Sequence, residues 1–256
     1  MPTPGLSLVG FMDQAAAINH MTAGCVPANP DPNALIAEWN AARTKLAAAT
    51  PNAGKPDTKP LPPQHDAYVQ QLTAMPAFQR GNLLHGSLVR LVEIDPLLSF
   101  QFTVDISRSD HHRARIGPAP QIDKLLQICL PLTPVNESVH VSYGPQSVIL
   151  KAKGVAVKKA QAGLFNNTIG IVFAFASPFV QVVRYNGRCF LRNGYHRAFA
   201  VRKAGAEYMP CLFRDVADHA AVGFQDGETF MAPLLGSANP PTMAHFTQGR
   251  AYNVLL

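Results

Sequence analysis

Charged residues are scarce in this sequence, and acids are the scarcer kind. Asp, Glu, Lys and Arg together make up only 15% of the 256 residues, whereas 47% are hydrophobic. A chain with this balance can bury a sizeable core, so we do not expect global disorder. The 16 acids are outnumbered by 22 Lys and Arg, which leaves a net charge of +6. This excess favours anionic partners.

No apolar run has the length of a membrane span. The most apolar one covers residues 169–183 and is interrupted by Ser177, Pro178 and Gln181, whereas a membrane helix needs about 20 predominantly apolar residues. The first residues carry neither a basic segment nor a long apolar core, so they lack the form of a signal peptide. We therefore expect a cytoplasmic protein with no membrane partner.

Cysteines with metal-ligand spacing are absent as well. The four cysteines form no CxxC motif, which is the spacing of many zinc and redox sites. Cys189 and Cys211 stand in apolar stretches, and we interpret them as small core residues of a reduced protein. A metal role for them is the less favoured alternative.

Proline, in contrast, is abundant in one segment near the start. Five prolines stand between Pro51 and Pro63, a density typical of an extended linker. Before this segment, Asp31-Pro32 predicts a helix start, and apolar residues at helical spacing follow it. We therefore predict a helical arm and linker over residues 1–63 and a main domain over residues 64–256, whose C-terminal tail wraps over the core.

The remaining patterns predict short helices and strands in turn. Helices are predicted over residues 11–21, 64–75, 78–88, 122–130 and 216–222, and strands over residues 90–95, 139–143, 147–151 and 169–176, the last of these as a buried central strand. Together they predict an α+β fold, with a mixed sheet and short helices behind the helical arm.

The clearest pattern is a hairpin followed by a helix. Apolar residues on both sides of Asn186-Gly187 predict the hairpin, because this pair favours the tight turn that matches strand twist. Asn193-Gly194 ends the second strand. A helix is then predicted from Tyr195 to a stop at Gly205, with a further strand over residues 209–213.

Cations gather where this helix is predicted to start. His196 and Arg197 fall in its first turn, and Arg192 lies just upstream. The unpaired amides of a helix N-terminus already carry partial positive charge, so cations are unfavourable there unless an anion binds. The predicted phosphate-binding residues are Arg192, Asn193, Gly194, Tyr195, His196 and Arg197. The alternative, with solvated arginines and a locally packed histidine, fits the spacing equally well.

The positive charge is concentrated in the same part of the chain. From Lys151 to Arg214 there are eleven Lys or Arg and one acid, Glu207, so this segment carries +10 and the remainder −4. Such a segment favours nucleotides or nucleic acid. The predicted nucleic-acid-binding residues are Lys151, Lys153, Lys158, Lys159 and Arg202. The alternative is a solvated basic surface that faces the acidic remainder of the chain.

The segment RNGYHRAFAVRKAG, followed by MPCLF, resembles the signature of the ParB/sulfiredoxin superfamily. The resemblance covers residues 180–215 and implies a ParB/sulfiredoxin-like core whose glycine turn holds nucleotide phosphates. Members of this superfamily bind CTP or ATP, and some are nucleases. The resemblance therefore implies ATP or CTP, with Mg²⁺, as cofactor, and a nucleotide or DNA as partner.

Two departures from that signature narrow the function. Tyr195 stands where sulfiredoxins carry the reactive cysteine, and the nearest thiol, Cys189, lies on the preceding strand, so we do not expect thiol chemistry. Segregation-type ParB proteins carry Glu-Arg-Arg where this chain has Tyr-His-Arg, and a helix-turn-helix domain downstream. Only 41 residues follow Asp215, so we do not expect a role in chromosome partitioning.

The catalytic candidates are His196, Asp110 and Glu93. His196 would donate a hydrogen bond to phosphate or move a proton. Asp110 belongs to a polar cluster made of Arg108, Asp110, His111, His112 and Arg113. We interpret the cluster as a loop or strand, where the adjacent His111 and His112 would point apart and chelate a metal poorly. Glu93 is brought near the turn by the resemblance alone. The alternative for the polar cluster is a solvated loop.

Three functions stay open at this level. The first is a phosphate-binding protein for a nucleotide or nucleic acid, with nucleotide hydrolysis undecided, since the sequence has no Walker lysine motif. The second is a DNA nuclease, which needs a metal-binding carboxylate near His196. The third is a non-catalytic interaction protein that retains the fold.

Overall fold

A computed structural model describes most of the chain. The described residues are 4–23, 31–46, 50–75, 78, 86–132, 139–144, 147–152, 157–165, 168–175, 177–223 and 232–255. Their helices and mixed parallel and antiparallel strands confirm the predicted α+β class. None of the helices in these ranges is both long enough and apolar enough to cross a membrane.

The strands are numbered along the chain. They are β1 Pro4–Ser7, β2 Thr58–Pro60, β3 Leu88–Glu93, β4 Leu98–Ser99, β5 Thr103–Asp105, β6 Val139–Gly144, β7 Ser147–Ala152, β8 Val157–Phe165, β9 Thr168–Phe175, β10 Gln181–Tyr185, β11 Arg188–Asn193, β12 Tyr208–Asp215 and β13 Tyr252–Leu255.

The helices are short. They are α1 Gln14–Ala23, α2 Pro32–Leu46, α3 Asp66–Ala74, α4 Ile106–Ile116, α5 Ile122–Cys129, α6 Tyr195–Lys203, α7 His219–Val222, α8 Ala232–Leu235 and α9 Met243–Thr247, with single 3-10 turns at Val9–Phe11 and Pro63–His65.

The main sheet has the order β2-β3-β12-β10-β11-β4. β10 and β11 form the predicted hairpin, and Asn186 and Gly187 adopt the left-handed conformation of its turn, with φ of 48° and 72°. β12 lies parallel to β10 and antiparallel to β3. The chain therefore leaves β11, passes through α6 and returns beside β10, which places the start of α6 at the end of a central hairpin.

Helix α6 is held on the sheet by its apolar residues. Ala198, Phe199, Ala200 and Val201 are all buried in the main core cluster, and Gly205, with φ of 99°, follows its end. This burial fixes both the orientation of the helix and the position of its first turn. The predicted helix and the predicted strand after it are confirmed.

The predicted arm is joined to the rest of the chain by strand pairing. β1 lies between β13 and β5 in a three-stranded sheet. β2, which belongs to the proline-rich segment, pairs with β3 at the edge of the main sheet, where proline is tolerated. That segment is therefore not a free extended linker. Whether the chain divides at residue 63 into independently folding domains stays a prediction.

Three further predictions differ from the structure or lie outside it. The polar cluster predicted as a loop or strand is helix α4. The apolar run 169–176, predicted as a central strand, forms β9, which pairs with β8 in a separate two-stranded ladder. The helix predicted over residues 78–88 lies mostly outside the described residues.

Candidate functional site

Helix α4 packs against α6. Because the polar cluster is helical, its side chains lie on different faces of α4. Asp105 caps α4, since its side chain accepts a hydrogen bond from the Arg108 amide at 3.1 Å. On a helix, Arg108 and His112 are four residues apart and share a face. Asp110 stands two positions from each and therefore points away from that face. The helix thus separates the predicted cluster into two surfaces.

Arg197 is a partly buried cation that lacks an acidic partner. Its guanidinium donates a hydrogen bond to the Pro178 carbonyl, and none of the ion pairs formed among the described residues includes it. Burial lowers the pKa of Arg197. A guanidinium carries five N–H donors in a planar fork, so most of its donor capacity and its charge stay unmatched within this part of the chain.

His196 lies beside Arg197 in the same first turn. Burial, and then the positive charge of Arg108, lower the pKa of His196 to about 4, while the carboxylate of Asp105 opposes this shift. The imidazole is therefore neutral near pH 7. A neutral imidazole still offers one N–H donor to a ligand.

His112 brings α4 to the same place. Its Nδ1 atom is buried without a hydrogen-bond partner. Burial, and then the positive charge of Arg197, lower the pKa of His112 to about 4, with a smaller effect from His196. We call Arg197, His196 and His112 the basic cluster. It lies where α4 meets the start of α6, and Arg108 and Asp105 stand at its rim.

Tyr195, predicted to bind phosphate, is instead part of the core. Its hydroxyl donates to the Leu191 carbonyl and accepts a hydrogen bond from the Phe100 amide at 3.0 Å. The ring is buried, and burial raises the pKa of its phenol well above the usual value. The hydroxyl is buried and makes both of these hydrogen bonds within the fold. Tyr195 therefore connects α6 to the sheet and to the segment before β5.

Gly194 is required by packing as well as by backbone conformation. Its φ of 102° lies in the left-handed region, and a Cβ atom there would stand 2.7 Å from Cγ2 of Val180. The sequence predicts a glycine that admits an anion to the backbone. The close approach that the structure shows is to Val180.

Asn193 supports the cluster from below. Its side-chain amide donates to the carbonyls of Ser177 and Phe179, at 2.8 and 2.9 Å. These two bonds fix the short segment that contains Pro178, whose carbonyl accepts from Arg197. Asn193 is therefore a positioning residue for the guanidinium.

Arg192 points to a different region. Its guanidinium lies 3.4 Å from the Ala221 carbonyl and packs against Gly223, where an added Cβ would be 2.8 Å from Nε. Burial, and then the charge of Arg214, lower the pKa of Arg192. The hydrogen bond that Arg192 donates is therefore directed at Ala221 and not at the basic cluster.

The two acids predicted as catalytic are not brought to His196. Asp110 forms an ion pair with Arg113 at 3.2 Å on the exposed side of α4. Glu93 accepts a hydrogen bond from the Asp57 amide at the outer edge of the main sheet. The carboxylate whose charge reaches His196 belongs to Asp105.

Of the predicted nucleic-acid-binding residues, the structure describes the side chain of Arg202. Arg202 forms an ion pair with Asp95 at 3.1 Å, so its charge is matched within the fold. Lys151 belongs to β7, and Lys158 and Lys159 belong to β8, but their side chains lie outside what the structure describes. Lys153 lies outside the described residues altogether.

Sequence reasoning missed Asp105 and the roles of Arg108 and His112. The signal was present, since Asp105 precedes the Arg108 amide at capping distance and Arg108 precedes His112 by one helical turn. It was hidden because the adjacent histidines were interpreted as a loop or strand.

Other chemistry finds less support around the cluster. The Cys189 thiol is buried, and burial raises its pKa to about 11, which makes it a poor nucleophile. Among the described residues, no three His, Cys, Asp or Glu side chains come together as a metal site would require.

Comparison with known proteins adds no relative: no protein-family model, no curated protein and no solved structure matches this chain.

Proposed function

We propose that the protein binds a phosphate-bearing ligand, a nucleotide or a nucleic acid, at the basic cluster. The observation that carries this proposal is Arg197, a partly buried guanidinium with no carboxylate partner among the described residues. Removing a cation from water is unfavourable unless an opposite charge compensates it. A bound phosphate would provide that charge, and its oxygens match the guanidinium fork.

The position of the cluster supports the same ligand. Arg197 and His196 lie in the first turn of α6, where the helix amides have no partner within the helix. These amides and the helix dipole favour an anion at this end. His196 and His112 are both neutral near pH 7 before an anion binds, and each ring carries one N–H donor. The order of strand, glycine turn, helix and strand is also the one that the resemblance to the ParB/sulfiredoxin superfamily implies, and on this basis we propose a ParB/sulfiredoxin-like core.

Titration calorimetry with ATP, CTP and a short DNA duplex tests the proposal. Wild-type protein is expected to bind at least one of them more weakly as the salt concentration rises. Arg197→Ala removes the fork and should lower affinity by about 1.5–3 kcal/mol, roughly ten- to a hundredfold. Arg113→Ala, on the exposed face of α4 and outside the cluster, is the matched control and should bind as the wild type does.

The outcomes separate the candidate functions. Equal affinity of wild type and Arg197→Ala would contradict the proposed site. Binding of nucleotides with release of inorganic phosphate would make the protein a nucleotide hydrolase. Cleavage of plasmid DNA that EDTA abolishes would favour the nuclease. If no nucleotide or DNA binds, the non-catalytic interaction protein becomes the better explanation.

A further inference from the structure

We propose that His112 is a further ligand-binding residue of this site, and that it takes up a proton when a terminal phosphate dianion binds. The inference rests on the proposed function and narrows its ligand class. It selects a phosphate monoester, such as the end of a nucleotide or a 5′-phosphate, over the phosphodiester backbone. The observation that motivates it is the buried Nδ1 atom of His112, which has no hydrogen-bond partner although the ring lies beside two other basic groups.

A buried imidazole nitrogen without a partner is unfavourable in the empty site. Most buried polar atoms in folded proteins are hydrogen-bonded, and an unmatched one destabilises the fold. The three residues of the basic cluster come from two helices that pack together, so an anion seated between them would contact both sides. A phosphate oxygen at this position would give Nδ1 the partner that it lacks.

The charges around His112 determine its response to an anion. Arg197, His196, His111 and Arg115 all disfavour a positive charge on the ring, and Asp105 is the acid whose charge reaches the neighbouring His196. A dianion would reverse the sign of this local field and favour the imidazolium form. The proton comes from solvent, so binding and proton uptake are linked.

Helix α5, which also packs on α4, does not supply a compensating charge. It carries Asp123, Lys124 and Cys129. The Asp123 carboxylate lies 3.1 Å from Nδ1 of His65, and the Lys124 ammonium lies near Gly117 at the far end of α4. Burial raises the pKa of the Cys129 thiol to about 12, so it is neutral.

The ligand class follows from the charge of the two kinds of phosphate. A phosphodiester carries one negative charge at any pH near neutrality. A phosphate monoester has a second pKa of about 6 and is mainly a dianion at pH 7. Only the dianion can compensate Arg197 and a protonated His112 together. We therefore expect a 5′-phosphorylated oligonucleotide to bind more tightly than the same oligonucleotide with a 5′-hydroxyl.

Inorganic sulfate stays a dianion between pH 8 and pH 6. In calorimetry with sulfate, any proton taken up on binding therefore goes to the protein and not to the ligand. Between pH 8 and pH 6 the wild-type affinity should rise, by up to about tenfold per pH unit for each proton taken up. Titration at pH 7 in two buffers of different ionisation enthalpy should give a positive proton uptake. His112→Asn should bind more weakly and take up fewer protons, whereas Arg113→Ala, on the exposed face of α4 and outside the cluster, should match wild type. The ring resonances of His112 should titrate at higher pH with sulfate bound.

The results distinguish the two proposals. If Arg197→Ala abolishes binding but His112→Asn keeps wild-type affinity and proton uptake, the inference is wrong and the proposed function stands. If the 5′-hydroxyl oligonucleotide binds as tightly as the phosphorylated one, the ligand class is wrong. If neither sulfate, ATP nor the phosphorylated oligonucleotide binds to wild type, both proposals fall.

Discussion

At the scale of single residues, neighbouring arginines on one helix have different surroundings. Arg202 faces Asp95, whose other carboxylate oxygen accepts from Thr247 at 2.9 Å. Arg197, about one and a half turns earlier, donates a hydrogen bond to the Pro178 carbonyl and takes part in none of the ion pairs among the described residues. An ion pair inside the fold explains the first arginine completely. The charge of Arg197 has no such partner among the described residues. This difference between the two arginines is the reason for placing a ligand at Arg197.

Tyr195 gives a prediction at the same scale. Tyr195→Phe deletes the hydroxyl that joins the Leu191 carbonyl to the Phe100 amide and leaves that buried amide without its acceptor. We expect a loss of about 1–3 kcal/mol in the free energy of unfolding, measured in urea, with phosphate binding unchanged. Tyr208→Phe, whose hydroxyl meets Asp57 on the surface, is the control and should lose less. A binding defect in Tyr195→Phe at intact stability would return this residue to the site.

At the scale of elements, local signals predicted much of the fold. The hairpin turn depends on Asn186 and Gly187, and a turn of that kind is encoded by two adjacent residues. Helix α4 was missed because its residues are polar, with only Ser109 and Ile116 buried, so the apolar periodicity that marks a helix was weak. Its packing against α6, which lies far along the chain, has no local signal in the sequence. The companions of Arg197 could not be predicted for the same reason.

Two glycines allow the turn before α6 to be tested. Both are left-handed, Gly194 with φ of 102° and Gly187 with φ of 72°, but only Gly194 has a neighbour, Val180, within 4 Å of the added Cβ. Gly187→Ala should cost about 1–2 kcal/mol for the backbone conformation alone. Gly194→Ala should cost more, because the 2.7 Å contact adds steric overlap. Urea unfolding of both variants measures the difference. Equal losses in the free energy of unfolding would mean that Val180 moves aside at no cost.

At the scale of the whole molecule, contacts between residues distant in sequence join residues 1–63 to the rest of the chain. The Gly54 amide donates to Pro96 and its carbonyl accepts from Cys189, each at 2.7 Å. Leu8 and Leu46 are buried in the main core cluster. The sequence could not predict these contacts, because proline density indicates an extended chain but does not indicate which strand that chain will pair with. Part of the predicted linker, β2, is therefore an edge strand of the main sheet.

Deletion of residues 1–63 tests this closure. The truncation would remove β1, which pairs with both β5 and β13, and β2, which pairs with one edge of β3. It would also open the core cluster at Leu8 and Leu46. We expect the fragment to lose cooperative thermal unfolding, because an unpaired edge and an opened core are both unfavourable. In the full chain, limited proteolysis at Lys59 should be slow, since its backbone pairs with Leu91. Rapid cleavage there, with a stable fragment from residue 64, would support a separate arm.

His245 lies next to a contact between residues 1–63 and the rest of the chain, and it makes the stability of the fold depend on pH. It is fully buried, accepts a hydrogen bond from the Thr242 amide at 3.1 Å, and Thr242 in turn meets Thr50 of the arm at 2.9 Å. Burial, and then the charge of Arg250, lower the pKa of His245 to about 4.

An unfolded histidine has a pKa of about 6.5, so the unfolded chain binds a proton that the folded one excludes. The stability that depends on neutral His245 is therefore complete above pH 6.5 and is lost as the pH falls towards 4, by about 3 kcal/mol. Urea unfolding between pH 7.5 and pH 4.5 should show this slope in wild type, and His245→Gln, though less stable at pH 7.5, should show a flatter one. Arg113→Gln, an exposed substitution on α4, should keep the wild-type slope. An unchanged slope in His245→Gln would mean that another group controls acid unfolding.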